Sequence, residues 1–305
     1  MTSHSSDKRW AYFPLNFVTD QETASSEFQK SINADVRLKE LQEFVSSSGV
    51  TVYFRKLMWD SEFFGVPMFR IDYTSGPFGI REEAIKAAFI ELRIAIASKN
   101  EEFYVFGEVP VEDTQTCVGI TEAGWRLIET RVTYFRDDIQ KFEFTEERPT
   151  RQAELEDVPE LRKAAMNAIN PFDRFHADSF FSDREAADFM AVFAENSVRG
   201  FADIVLVPAT GPADAFLTGI YLPKSDVFGG LKIAKPVLSA VSQNRKGWYK
   251  HLIGSMGNQF NSMGVDFAFM TTQITNRAVQ KVWFQHGFRF GRATYIFSTY
   301  VRNQS

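Results

Sequence analysis

Val237-Leu238-Ser239-Ala240-Val241-Ser242 runs directly into Gln243-Asn244-Arg245-Lys246-Gly247 and then into Trp248-Tyr249-Lys250-His251-Leu252. The apolar run Lys232–Ser242 reads as a strand, and the polar, glycine-containing segment after it reads as a turn. Beyond the turn, Leu252, Met256, Phe260 and Met263 recur at helical spacing, and Gly264 stands where a helix C-cap belongs. A turn of this kind leaves the first N–H groups of the helix free at the positive end of its dipole, which suits an anionic group such as a pyrophosphate. Arg245 and Lys246 add positive charge at the same place. The competing reading of a basic turn is solvated surface.

Working outward, Asp266–Thr272 reads as a buried strand, Asn276–His286 as a short helix and Phe288–Val301 as closing strands. Upstream, Asp157-Val158-Pro159-Glu160 carries the cap, proline and carboxylate that start a helix, expected to run to about Ile169. Ser182-Asp183-Arg184-Glu185 repeats the start signal, with Phe189, Met190 and Phe193 on one face of a helix reaching about Ala194. Phe201–Val207 and Ala215–Leu222, separated by Thr210-Gly211-Pro212, read as a hairpin. The order is two helices and two strands, then strand, helix, strand, helix, strand.

Composition narrows the function classes. The 305 residues are 44% hydrophobic and 24% charged, which is globular and leaves room for two domains. A net charge of -5 without a long basic run argues against nucleic acid as the main partner. Cys117 is the sole cysteine, so an intrachain disulfide or a cysteine-rich zinc site is excluded, and a reducing, cytoplasmic compartment is expected. No stretch has the apolar length of a membrane span. Walker, GxGxxG, HExxH and GxSxG motifs are absent, and His4, His176, His251 and His286 include no i, i+4 metal pair, so no metal is expected.

The strand, basic glycine turn, helix and strand, followed by Asn276-x-x-Val279-x-x-Val282-Trp283-Phe284-x-x-Gly287-Phe288, resemble the GNAT N-acetyltransferase superfamily over about 150–300. Arg174-Phe175-His176-Ala177-Asp178, Thr272-Gln273-Ile274-Thr275-Asn276 and Trp59-Asp60-Ser61-Glu62-Phe63-Phe64-Gly65 are similar to the dTDP-fucosamine acetyltransferase branch. The resemblance implies a mixed α/β fold, a central sheet with flanking helices, and acetyl-CoA as co-substrate. It implies cofactor contacts from Ser239, Ala240 and Val241 on the strand, from Asn244, Arg245, Lys246, Gly247, Trp248 and Tyr249 in the loop, and from Asn276. Asn244 and Tyr249 depart from the family loop, where a long polar and a small residue are usual. Trp283 fills a slot that usually holds a tyrosine serving as acid to the leaving thiolate, and an indole N–H is no proton donor at neutral pH. Its alternative reading is core filler. Tyr249, Tyr295 and His176 stand as unranked replacements for that acid.

The acceptor amine has to be neutral to attack, and His176, in a loop between two capped helices, has the intrinsic pKa of a base; the alternative is a structural histidine. Arg174 and Asp178 suit sugar hydroxyls or a diphosphate, and equally a pair with each other. Asn276 suits both a CoA contact and an N-cap. A cap alone explains Glu185.

Residues 37–145 read as a worn copy of the second half. Gly124-Trp125-Arg126-Leu127 and Gly287-Phe288-Arg289-Phe290 lie at matching offsets from the strands Tyr104–Val109 and Phe267–Thr272, and each copy closes on a Thr-Tyr strand. Ile85, Ala88, Phe89 and Leu92 mark its helix, but only Gly76-Pro77-Phe78-Gly79 precedes it, so this copy is not expected to bind CoA. Trp59, Phe63 and Phe64 are core or pocket wall. The expected organisation is a polar, partly loose 1–30, a degenerate GNAT-like 31–145 and a catalytic 146–305, joined through the charged segment 143–151. The expected activity is acetyl transfer from acetyl-CoA to the amine of a nucleotide-linked deoxyamino sugar, in a ternary complex. A GNAT-like binding module without catalysis, and an acyltransferase for a peptide or small amine, are the alternatives; a homodimer is among the states the sequence leaves open.

Overall fold

The computed structural model describes residues 8–76, 81–222 and 230–302, so Gly76-Pro77-Phe78-Gly79 and His4 fall wholly or mostly outside the described residues. In chain order the elements are α1 (Arg9–Tyr12), α2 (Gln21–Arg37), β1 (Gln42–Val45), β2 (Thr51–Lys56), α3 (Met58–Phe64), β3 (Met68–Ser75), α4 (Glu82–Ala97), β4 (Phe103–Pro110), α5 (Thr114–Glu122) and β5 (Arg126–Arg136). There follow β6 (Thr150–Gln152), α6 (Val158–Asn167), α7 (Arg174–Ala177), α8 (Asp183–Asn196), β7 (Ile204–Pro208), β8 (Ala215–Leu222), β9 (Ile233–Val241), α9 (Trp248–Ser262), β10 (Phe267–Gln273), α10 (Arg277–Gln285) and β11 (Arg289–Val301). The chain divides into two compact units, Met1–Arg131 with Arg292–Ser305, and Val132–Gly291.

In the first unit the strands follow the order β1-β2-β3-β4-β11, with β3 and β4 parallel and the other pairs antiparallel. Ile85, Ala88, Phe89 and Leu92 do form the buried stripe of α4, as their spacing indicates. The described part of the polar N-terminal stretch, from Lys8, carries α1 and the start of α2. Ala24, Phe28 and Ile32 fall at i, i+4, i+8 on α2 and are buried, and Ala11, Tyr12, Phe13 and Leu15 are buried beside them in the sequence of α1 and its exit. Tyr12 donates to Asp113 Oδ2 at 2.8 Å, and Asp113 caps α5. Trp59, Phe63 and Phe64 all lie on α3 of this unit, where Phe64 is buried and the rings contact one another.

In the second unit the order is β10-β9-β8-β7-β6, with the Val132–Arg136 end of β5 beside β10. The Thr133 and Thr271 hydroxyls are 3.0 Å apart and the Phe135 and Phe267 rings stack at 5.7 Å. Side chains alternate across the sheet. Ile204 and Leu206 of β7 join α9 and α10 in one core, while Val205 and Val207 join α6 and α8 in the other. The unit is therefore a three-layer α/β/α arrangement, and the sheet is covered on both faces. The hairpin and the helices at 158, 183, 248 and 277 are found close to their expected bounds.

Three differences have local causes. The segment 143–151 lies inside the second unit, because Phe142 and Phe144 cover glycines of α9 and Arg151 pairs with both Asp157 oxygens at 2.6 and 2.8 Å. The closing strands are one 13-residue strand whose residues from Arg292 belong to the first unit, where Thr294–Val301 pair with β4. A short helix, α7, interrupts what reads as a loop, because Asp173 caps it by accepting from the Phe175 and His176 N–H groups. No described helix is long and apolar enough to cross a membrane.

Candidate active site in the second unit

The site begins with a parting of two parallel strands. Only Ile233 and Ala234 of β9 pair with β10, opposite Phe267 and Ala268; beyond them β9 stays with β8 as far as Val241 opposite Ala215. The register of β9 on β8 shifts between Leu217 and Gly219, next to Pro236, which has no N–H to give a ladder. The Leu238 N–H is satisfied by the Thr218 hydroxyl at 2.9 Å instead. From residue 235 onward, the edge of β9 that faced β10 presents main-chain groups without a β10 partner, and Ser239, Ala240 and Val241 lie on this stretch.

The turn after β9 is braced from below. Asp214 accepts from the Ser242 hydroxyl at 2.7 Å and from Arg245 Nε at 2.7 Å, and Arg245 Nη2 reaches the Pro212 carbonyl at 3.1 Å. Burial pushes the Asp214 carboxyl up, but the Ser242 hydroxyl and the Arg245 guanidinium outweigh it and hold the group below the usual carboxylate range. Arg245, read from sequence as an added charge for an anion, is thus committed to Asp214, while Asn244 and Lys246 are exposed. Gly247 adopts φ 85°, the left-handed region, and is the N-cap of α9. It has no side chain to cap with, and the first turn of α9 holds no acidic residue. The first N–H groups of α9 therefore take no acceptor from a capping side chain.

Tyr249, the second residue of α9, accepts a hydrogen bond from the Trp283 indole N–H at 2.8 Å, and Ser239 hydrogen-bonds the same hydroxyl. Burial pushes the phenol pKa upward against those two hydrogen bonds. Trp283 is 3% exposed in the α9/α10 core, with its ring edge-on to Tyr134, so the core reading of this residue and its polar contact both hold.

The remaining candidates lie in the loop around α7. His176 Nδ1 lies 2.9 and 3.0 Å from the two Asp173 oxygens. The Asp173 hydrogen bond raises the histidine pKa, burial opposes it, and the charges of Asp173 and Asp183 add to the rise. With Nδ1–H held by the carboxylate, Nε2 is the basic nitrogen. Asn170 Nδ2 donates to Gln273 Oε1 at 2.6 Å, which ties this loop to the end of β10. Asn276 accepts from the Val279 N–H and donates to Thr272 at 3.2 Å, so capping accounts for it.

Arg174 and Asp178 are both buried, at 6% and 1% exposure. The Arg174 guanidinium lies 4.2 Å over the Phe175 ring, and Asp178 accepts from the Phe180 N–H at 3.1 Å; both sit inside the loop's frame rather than on its surface. Tyr295 lies on β11 in the first unit, opposite Val109. Glu185 is the capping-box residue that its spacing indicates. The sequence reading passed over Asp214, Asp173 and Asn170. Asp173 has a visible signal, an Asx cap three residues before His176, whereas Asp214 reaches partners 28 and 31 residues away and has none.

No protein-family model matches this chain, and no curated protein matches it. Solved structures do. A GCN5-related N-acetyltransferase from Sphaerobacter thermophilus is similar at 10% identity and a TM-score of 0.58, over 97% of this chain and 93% of that one. A glucosamine N-acetyltransferase region of a fungal multi-domain GH3 β-N-acetylglucosaminidase matches at 12% identity and 0.58, over 83% of this chain and 32% of the other. A GCN5-related N-acetyltransferase from Kribbella flavida matches at 11% identity and 0.50, over 88% and 94%. The fold is that of the GNAT N-acetyltransferases.

Proposed function

We propose, from this fold and from the parting of β9 and β10 that opens onto the Gly247 turn, that the chain is a CoA-dependent N-acetyltransferase. The parting carries the reading. An unpaired strand edge can take up an extended, amide-bearing chain as an added strand, and the uncapped start of α9 with exposed Lys246 can take an anion at its far end. The residues present therefore fit acetyl-CoA, which would supply an activated acyl carbon and a thiolate leaving group. The main-chain N–H groups of Ser239 and Val241, which alternate along the strand with the β8-facing N–H groups of Leu238 and Ser242, would be the donors to a developing oxyanion. His176, oriented by Asp173, takes the proton of the attacking amine.

The amine of a nucleotide-linked deoxyamino sugar is the first acceptor to test, on the likeness of three sequence segments. Burial of Arg174 and Asp178 makes them supports of the acceptor loop, not direct ligands of a diphosphate. Calorimetric titration with acetyl-CoA, followed by thiol release on adding a dTDP-linked 4-amino-4,6-dideoxy sugar or a panel of simple amines, tests the reading. Binding with amine-dependent thiol release supports it. A folded protein that binds no acetyl-CoA overturns it.

A further inference from the structure

We propose that residues 142–151 form a pH-sensitive latch on α9, closed while His251 and His286 are neutral and opened when the two histidines take up protons. The latch lies within the second unit and does not depend on the transferase reading. Phe142 and Phe144 cover Gly257 and Gly254 of α9. The Phe144 N–H donates to Asn258 Oδ1 at 2.9 Å, and the amides of Asn258 and Asn261 donate back to the Phe144 and Phe142 carbonyls at 2.7 and 2.8 Å. The two histidines stand against the same phenylalanine rings. His286 stacks on Phe142 at 6.1 Å between centroids and lies 5.4 Å from Phe144, while His251 meets Phe144 edge-on at 5.9 Å.

The neutral form of His286 follows from its hydrogen bond. Nδ1 lies 2.8 Å from the Val282 carbonyl, which can only accept, so Nδ1 carries the hydrogen and Nε2 the lone pair. His286 Nε2 and His251 Nδ1 are both buried and have no hydrogen-bond partner among the described residues. In the imidazolium form each becomes a charged N–H without an acceptor, which a buried site disfavours. Around His251 stand Arg148 and Glu147 of the latch and Lys250 of α9; around His286 stand Lys250, Arg136 of β5 and His251 itself. Of these charges Glu147 alone favours an imidazolium. Arg136, paired with Asp138 at 2.6 Å, already lies 4.9 Å over the Phe142 ring and donates to the His286 carbonyl at 2.8 Å, so protonation brings a second cation to that ring. Burial is the largest influence and pushes both histidines below their ordinary value, against Glu147 at His251 and the Val282 bond at His286. Closure is therefore full above the ordinary histidine pKa of about 6.5 and is lost as pH falls from there toward the closed-state values. His176, whose pKa is raised, has the opposite sign.

The Phe144 N–H reports closure, because its acceptor lies on α9. Its hydrogen-exchange protection in the full chain, corrected for the intrinsic rate at each pH, should fall roughly 10- to 100-fold from about pH 7.5 to about pH 5.5. His251→Phe and His286→Phe keep an aromatic ring and cannot ionise, and the Val282 carbonyl retains the main-chain N–H of residue 286 as a donor. Each variant should keep part of the fall, and the double variant should lose it. A second measurement needs no variant: the ring C–H resonances of His251 and His286 in wild-type protein should titrate below the value of a histidine in an unfolded peptide. Unchanged Phe144 protection across this range, a full fall in the folded double variant, or ring titration at or above the peptide value overturns the latch. Each of these results leaves the transferase reading standing, and absence of amine-dependent thiol release leaves the latch standing.

Discussion

Gly247 is the residue on which the proposed anion site turns. Its φ of 85° is open to glycine, and to asparagine or aspartate at modest strain, and an added Cβ would meet nothing within 4 Å. Gly247→Asn and Gly247→Asp are therefore nearly equal in backbone and space and differ in charge. The Asn variant should bind acetyl-CoA within about tenfold of wild type, and the Asp variant, with its carboxylate at the start of α9, should lose detectable binding in the same calorimeter. Equal affinities would remove the pyrophosphate from this turn. At His176 the Asp173 carboxylate favours the imidazolium, so the proposed base becomes available only as pH rises through a pKa above the ordinary histidine value. Because that pKa is raised on folding, the pair's contribution to stability is full below the unfolded histidine pKa and is lost as pH rises through the folded one. Asp173→Asn should move the lower inflection of the kcat/KM profile to lower pH, and an unmoved inflection would assign the base elsewhere.

At the scale of elements, α9 is fastened on the side away from its core stripe. Phe142 and Phe144 lie over Gly257 and Gly254, whose added Cβ atoms would stand 2.3 Å from the rings, and Asn258 and Asn261 bond the main chain of the two phenylalanines. Gly257→Ala should cost about 1–3 kcal/mol by overpacking, read from urea denaturation, although alanine is the better helix former. The helical stripe of α9, the αL glycine at 264 and the Ser182–Glu185 capping box were legible because they follow local spacing, whereas Asp157, read as the cap of α6, makes no cap bond to that helix and binds Arg151 and the Glu154 N–H instead. The covering segment was not: Glu143–Arg151 reads as a solvated linker because its anchors, Phe142 and Phe144, meet glycines more than a hundred residues on. The site divides the same way. The strand, turn and Gly247 follow from adjacent residues, while the parting of β9 from β10 depends on pairings, and Arg245 looks free until Asp214 is brought beneath it. The Tyr249–Trp283 contact joins two helices 34 residues apart, and no spacing rule ranks it above Tyr295.

Across the whole molecule, β3-α4-β4-α5-β5 repeats the order of β9-α9-β10-α10-β11. Asp113 and Asn276 cap α5 and α10 by accepting from the N–H three residues on, and Gly124 and Gly287 take φ of 81° and 78° at the ends of those helices. The copies differ where an anion and a thioester would lie. The first turn of α4 carries Glu82 and Glu83, which place negative charge where α9 offers free N–H groups beside Lys246. Past the last β3/β4 pair, Ile71 opposite Gly107, the first unit sets charged groups. Asp72 is paired with Arg55 and Arg70, and Glu108, pushed up by burial, is drawn below its usual range by Arg131 and Arg292. A network of this kind resists an apolar thioester arm, because displacing an arginine leaves Asp72 or the half-buried Glu108 without its counter-charge. Acetyl-CoA should therefore bind once per chain, and Gly247→Asp should remove the whole binding heat. A stoichiometry of two, or residual heat in that variant with the wild-type enthalpy per site, would assign a working site to the first unit and make its charged network a ligand contact in place of a plug.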